Sequence, residues 1–448
     1  MVGRQRATEL CRLALGLGQA DQLEAVLMSE ESSLTRFATN YIHQNVAETD
    51  ARLTVRAAFG QRVGTASTNR LDDEGIRAVV AQAEGIARLQ RENPLWRSLP
   101  APPIAATGAA YEDVDPATRD CQPEVRAEAV GQLVGQVKAA GLSAAGKVST
   151  GLTEVAVANS LGAEAYMAGT RAGITAVVSG ETGSGYASRT AGRFGDLDPL
   201  AIGRTAVDKA LASRDPQALP PGEYTVILEP PAVADMLQYL AFLGFSALAV
   251  QEGRSFMGGK LGQQVMGDNI TIWDDGHDPE GLPLPMDFEG VPRQRVTLIE
   301  RGVAKGLVYD TMTAGREGRE STGHALPPGF GYGPMPLNLF MAAGEDTLEG
   351  LIAGTERGIL VTRFHYTNPI HPVKAIITGM TRDGTFLIEG GKVATPVRNL
   401  RFTESILRSL SSVDGITRER QYQGGYFGGM LVPAIRVSGF TFTGATEF

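Results

Sequence analysis

Residues 22–90 read QLEAVLMSEESSLTRFATNYIHQNVAETDARLTVRAAFGQRVGTASTNRLDDEGIRAVVAQAEGIARLQ, and they decide the fold class. The segments QLEAVLMSEES, LTRFATNYIHQNVAE, ARLTVRAAFG and QRVGTASTN are joined by brief polar connectors. That pattern predicts consecutive short strands in an antiparallel meander. The closing segment, LDDEGIRAVVAQAEGIARLQ, reads as a helix whose first-turn acids complement the helix dipole.

Upstream, Leu10, Leu13, Ala14 and Leu17 fall at helical spacing and predict an amphipathic first helix. A signal peptide is the poorer reading, because Arg12 interrupts the apolar run and no small-residue cleavage site follows it. Downstream, the Pro- and Ala-rich segment Asn93–Ala117 reads as an extended crossing loop. A second helix is expected over Pro123–Ala140 and a third over about Asp198–Ala212, with a strand on either side of the turn NSLG between them. The prolines of SRDPQALPPGEY mark the expected boundary between an N-terminal domain, 1–217, and a C-terminal domain, 218–448.

The second half opens with the strand EYTVILEP and one helix, PAVADMLQYLAFLGFSALAV, with Pro231 at its start. Strands then dominate: NITIWDDG, QRVTLIERGVAKGLVYD, KAIITGMTRDGTFLIEGGKV and AIRVSGFTFTG, with ERGV, RDGT and EGGK as hairpin punctuation. Strands grouped apart from helices, without regular βαβ alternation, predict an α+β protein.

Composition narrows the function. The chain has 448 residues, 43% apolar and 20% charged, with a formal net charge of -9. An acidic chain lacks the basic face that nucleic acid or an anionic membrane surface requires. No run approaches the ~20 apolar residues of a membrane-spanning helix. Cys11 and Cys121 are the only cysteines. Two cannot build a disulfide framework or a thiolate cluster, they fit a reducing cytoplasm, and their helical settings suggest inert thiols.

The motifs that could carry chemistry mostly fail. GRSFMGGKLG approaches a phosphate-binding loop, but Gly259 stands where its lysine belongs and Leu261 follows Lys260. DDGHDPEG, Asp274–Gly281, has Gly276 where a calcium loop needs its second acid, so a solvated turn is expected there. No Gly-x-Ser-x-Gly elbow appears, and the helix Ala232–Val250 has no histidine. Two of the five histidines stand in RFHYTNPIHPV, Arg363–Val373. His365 and His371 could ligate one metal, line a polar groove, or serve as structurally bonded rings. Six extended residues span roughly 20 Å, and Pro369 and Pro372 interrupt the ladder, which opposes the first reading. Arg363, His365 and Tyr366 are the candidate groove or interface residues.

Several stretches together resemble the TldD/PmbA family, specifically its PmbA (TldE) branch: SLTRFATNYIHQN, SFMGGKLGQQV, DFEGVPRQRVTLIERGVAKGLVYD, GRESTGHAL with PMPLNLFM, and TRFHYTNPIHPVKAIITGMTRDGTFLIEGGKVATPVRNLRFTES. The resemblance runs over almost the whole chain and is strongest from Gly222 to Gly444. It implies a two-domain α+β dimer whose C-terminal domain is dominated by a curved, barrel-like sheet. Family roles include peptide maturation and degradation, and an older label is modulator of DNA gyrase. In the TldD branch a His-Glu-x-x-x-His segment and a C-terminal Cys hold the metal of a peptidase. Here FLGFSALAVQEGR has no histidine and QYQGGYFGGMLVPAIRVSGF no cysteine, so no catalytic or metal residue carries over and no cofactor is expected. The expectation is a non-catalytic subunit that pairs with a metal-bearing TldD-like partner and helps admit peptide. The alternative is a stand-alone homodimer that binds peptide at exposed strand edges.

Overall fold

A computed structural model describes residues 1–425 and 428–445. The first half runs α1 (Arg4–Leu17), β1 (Gln22–Ala38), β2 (Tyr41–Phe59), β3 (Arg62–Thr68), α2 (Asp73–Leu89), β4 (Thr107–Asp113), α3 (Pro116–Arg119), α4 (Pro123–Ala139), β5 (Ser143–Asn159), β6 (Glu164–Ser179), β7 (Ser184–Ala191) and α5 (Pro199–Ala212). The meander therefore consists of two long strands and one short one. The reversal sits at Thr39–Asn40, both in the left-handed region, while SSLTR continues β1 without a turn. The segment expected as a crossing loop carries β4, which adds parallel to β6 at the sheet edge. Its sequence TGAAYED lacks the alternation that marks a half-buried strand, so it did not read as one.

The seven strands are ordered β3-β2-β1-β5-β6, with β4 and β7 sharing the far side of β6 end to end. Strand alternation sends Leu27, Ala156 and Ala168 toward α1 and α2, and Val148, Ile174 and Ala176 toward α4 and α5. All four helices thus cover one face. The opposite face carries Val26, Val155, Val157 and Met167, which pack against Met286 and Phe288 of the second half.

That half comprises β8 (Gly222–Leu228), α6 (Pro230–Leu243), α7 (Ala247–Gln251), β9 (Ile272–Asp274), β10 (Val296–Glu300), β11 (Val303–Ala304), α8 (Thr311–Arg316), β12 (Asn338–Met341), α9 (Leu348–Ala353), β13 (Arg357–His371), β14 (Ile376–Glu389), β15 (Lys392–Pro396), β16 (Leu400–Ser405), α10 (Ile406–Ser411), β17 (Val413–Gly425) and β18 (Gly428–Ala445). Strand β18 pairs with β16 near its end and with β8 along its middle, which closes β18-β16-β14-β13-β8 into a ring. The expected curved, barrel-like sheet is this ring with its extensions. Inside it Phe364, Phe402, Phe440 and Phe442 pack at 4.4–5.9 Å between ring centres, alongside Val233, Leu237 and Leu240 of α6.

Two further expectations are corrected. The helix read through Val250 breaks into α6 and α7 at Gly244–Ser246, where Ser246 bridges to Val308 and the Phe256 ring occupies the space a side chain at Gly244 would need. RDGT is no hairpin turn: β14 runs straight through it, and Asp383 and Gly384, both with positive φ, form a bulge opposite Val361–Arg363. ERGV and EGGK do turn hairpins, with Arg301–Gly302 and Gly390–Gly391 in the left-handed region.

Candidate functional site

A cleft of about 540 Å³ lies between the helix-free face of the first sheet and the second half. Strand register, antiparallel across β1, β5 and β6 and parallel at β4, builds its floor in rungs. Met28, Val155, Met167 and Tyr111 stand side by side; next come Glu30, Thr153, Gly169 and Asp113, and then Ser32, Gly151 and Arg171. The opposite wall is Leu282–Pro285, Leu337 and Tyr422, with His277 edge-on to Tyr111 at 6.4 Å. Tyr422 holds its proton firmly because of burial.

Gly424 joins this cleft to a smaller hollow of about 130 Å³. There Pro231, Ala234, Asp235 and Gln238 form one stripe of α6, spaced at three and four residues, facing Tyr186, Arg363 and Gln423. Asp235 Oδ2 accepts from the Thr367 hydroxyl, and burial raises the Asp235 pKa. Gln423 is 7% exposed; its Oε1 faces the Ser188 hydroxyl at 3.3 Å, while its Nε2 has no partner among the described residues.

The structure divides the residues singled out in RFHYTNPIHPV: Arg363 turns to the small hollow, while the His365 and Tyr366 rings meet edge-on at 4.7 Å. Arg363 donates from Nε to Asp383 at 2.8 Å and lies 4.5 Å from the centre of the Tyr186 ring, while Ser184 donates to the other Asp383 oxygen at 2.8 Å. It thereby clamps the barrel to β7 and lines the small hollow. His365 is half-buried; burial first, then Arg363 and Arg382, lower its pKa. Tyr366 adopts a φ of 52°, is 73% exposed, and borders a separate surface hollow with Asn368, Met380 and Arg401. His371 lies further along the same strand, exposed.

Sequence reasoning missed Asp274, placed in a solvated turn. It is fully buried, accepts from His324 Nε2 at 2.9 Å and Arg293 Nη1 at 3.4 Å, and takes the Asn338 N–H at 2.8 Å. Burial and the neighbouring Arg293 lower the His324 pKa and favour its neutral form. Both thiols are buried, and burial pushes Cys11 up to about 12.

Residues 221–444 match the PmbA/TldA metallopeptidase C-terminal domain, 109–214 the central domain and 23–87 domain 1. The chain belongs to the TldD/PmbA metallopeptidase family. It is 24% identical to the metalloprotease PmbA homolog of Haemophilus influenzae over 97% of this chain and 96% of that protein. It is 27% identical to that organism's metalloprotease TldD homolog, over 78% and 75%. A 37% identical match to an uncharacterized protein of Methanocaldococcus jannaschii covers 37% of this chain and only 38% of that protein's length. The crystal structure of TldE from Thermococcus kodakarensis shares the fold, with a TM-score of 0.85 and 22% identity over 97% of this chain and 99% of that one.

The family resemblance sets the ligand-bearing segment at FLGFSALAVQEGR, now seen as the end of α6, the break and α7, together with the tail strands. Tyr426 and Phe427 of that tail lie outside the described residues. The residues around the hollow do not fit a cation: Asp235 is its one lining carboxylate among the described residues, Gln238 and Gln423 offer amides, and Arg363 adds a guanidinium. No group of three or more His, Cys, Asp or Glu side chains converges among the described residues.

Proposed function

We propose that this chain is a non-catalytic, PmbA/TldE-like subunit of a two-component peptidase, cytoplasmic, with its domain boundary at 217/218. The observation that carries the reading is the donor set of α7 and of the hollow beside α6. A peptidase metal needs several anionic or imidazole donors on one ion and an activated water, whereas α7 carries apolar side chains and one amide, and the hollow presents one carboxylate, two amides and an arginine. The adjoining cleft, apolar at one end and polar at the other, suits an extended peptide, so the chain contributes a wall of the chamber while a TldD-like partner contributes the reaction centre.

Co-expression with a TldD-type protein tests this. The expected result is a stable pair with metal in the partner and peptidase activity in the pair alone. Hydrolysis by this chain alone at stoichiometric metal would sink the proposal. A second reading, a stand-alone peptide-binding homodimer, draws support from β15, which pairs only with β14 among the described residues and leaves an edge for an incoming strand. A dimeric mass in size-exclusion chromatography, with peptide binding and no affinity for a TldD-type protein, would favour it.

A further inference from the structure

Beyond containing peptide, the cleft has a charge pattern that selects one. Its second rung places Glu30 and Asp113 at opposite ends of the row Glu30–Thr153–Gly169–Asp113. With neighbouring strands about 4.8 Å apart, the two backbone positions stand roughly 14 Å from each other, and their side chains reach inward over the row. The middle is low. Gly169 has no side chain, and the nearest atom to where its Cβ would stand is the Asp113 carbonyl oxygen at 3.9 Å. A long side chain descending from a ligand would therefore rest on Gly169 between two carboxylates.

Those carboxylates are available. Glu30 makes no ion pair among the described residues, and Asp113 has only a loose, solvent-exposed approach to Arg193 at 3.9 Å. Arg171 stands one rung away and His277 opposite. The neighbouring rung, Met28–Val155–Met167–Tyr111, supplies an apolar seat two residues along the strands. Beyond Gly424, in the smaller hollow, Gln423 is more than nine-tenths buried and holds an Nε2 donor without an acceptor among the described residues, which the carbonyl of a peptide running on from the cleft would satisfy.

Resting on the peptide-chamber reading, we infer that this cleft binds peptide segments in which a lysine or arginine is flanked by an apolar residue, the cation sitting over Gly169 between Glu30 and Asp113. Recognition is then by charge and depth, with the aliphatic stem of the basic side chain lying against Thr153 and Met167.

The test is fluorescence anisotropy with two capped, fluorescein-labelled nonapeptides of serine, alanine and leucine. One carries lysine at its centre and the other norleucine, its uncharged counterpart. Each is titrated against the full chain alone and against its complex with a TldD-type partner. The lysine peptide should bind about tenfold more tightly, and the preference should shrink as salt rises. The double variant Glu30→Gln, Asp113→Asn should lose that preference and keep its affinity for the norleucine peptide. Gly169→Val, which fills the seat in a strand conformation that accepts valine, should weaken both. Equal binding of the two peptides by the unaltered protein would overturn the charge selection and leave the chamber reading standing. Binding of neither, by the chain or its complex, would overturn both. A preference that persists in the double variant would move the cation away from this rung and overturn the assignment.

Discussion

At the scale of single residues, the ion group Asp274–Arg293–His324 shows what burial does to a charge. All three side chains are excluded from water, and Asp274 accepts from both partners and from a backbone N–H. Removing its charge leaves Arg293 in a dry interior with two further donor nitrogens that have no partner. Asp274→Asn should therefore destabilise the protein by about 3–5 kcal/mol, measured by urea unfolding. A loss below about 1 kcal/mol would show that water reaches the guanidinium. None of this was legible in DDGHDPEG, because a short run of acids beside glycine reads as solvated until the distant Arg293 and His324 are placed around its first member. Arg363 was legible as a residue worth watching. Its actual partners, Asp383 and Tyr186, belong to a bulge and to the other sheet, which no local pattern reveals.

At the scale of elements, local signals were read well where the chain itself sets the geometry. The acid-led start of α2, the helix expected from about Asp198 and the two-residue turns at Arg301–Gly302 and Gly390–Gly391 follow from local chemistry alone. Errors arose where one local conformation serves two uses. Asp-Gly with positive φ suits a hairpin and a bulge equally, and only the partner strand decides between them. Apolar periodicity likewise runs through Gly244 without announcing the break, since the reason lies in Phe256 packed against that glycine. Gly244→Ala would push a methyl into a ring that is 1% exposed. The expected cost is about 1–3 kcal/mol in a thermal or urea melt, and an unchanged midpoint would mean the ring can swing aside. The cleft itself was invisible in the sequence, because its rungs draw on β1, β4, β5 and β6, and only register sets Glu30 and Asp113 on one row.

At the scale of the molecule, the two halves meet through charge as well as through Met286 and Phe288. Arg56 of β2 donates to Glu24 of β1 at 2.8 Å and to Glu289 of the second half at 2.9 Å. Burial pushes Glu24 up to about 7, and burial with the neighbouring Glu289 does the same to Asp287. A carboxyl raised in the folded state holds a proton that the unfolded chain has already released. Its contribution is complete below the ordinary glutamate range and disappears as pH rises through about 7. Stability should therefore fall between about pH 5 and pH 8, by on the order of 1–3 kcal/mol. Glu24→Gln should flatten that slope in melts taken across the range. An equally steep profile in the variant would clear Glu24 of responsibility.

Strand β18 closes the ring by pairing with β8, and the two are separated by about 200 residues of chain. During synthesis the edge of β8 that β18 will take must wait until almost everything after it has emerged. Long-range pairing of this kind slows folding and leaves sticky intermediates in the interval. The second half should therefore depend on chaperones more than the first, whose β1–β2 hairpin can zip as soon as it leaves the ribosome. A nascent chain stalled before β18 would be held by a chaperone, while one stalled after α5 would already resist protease.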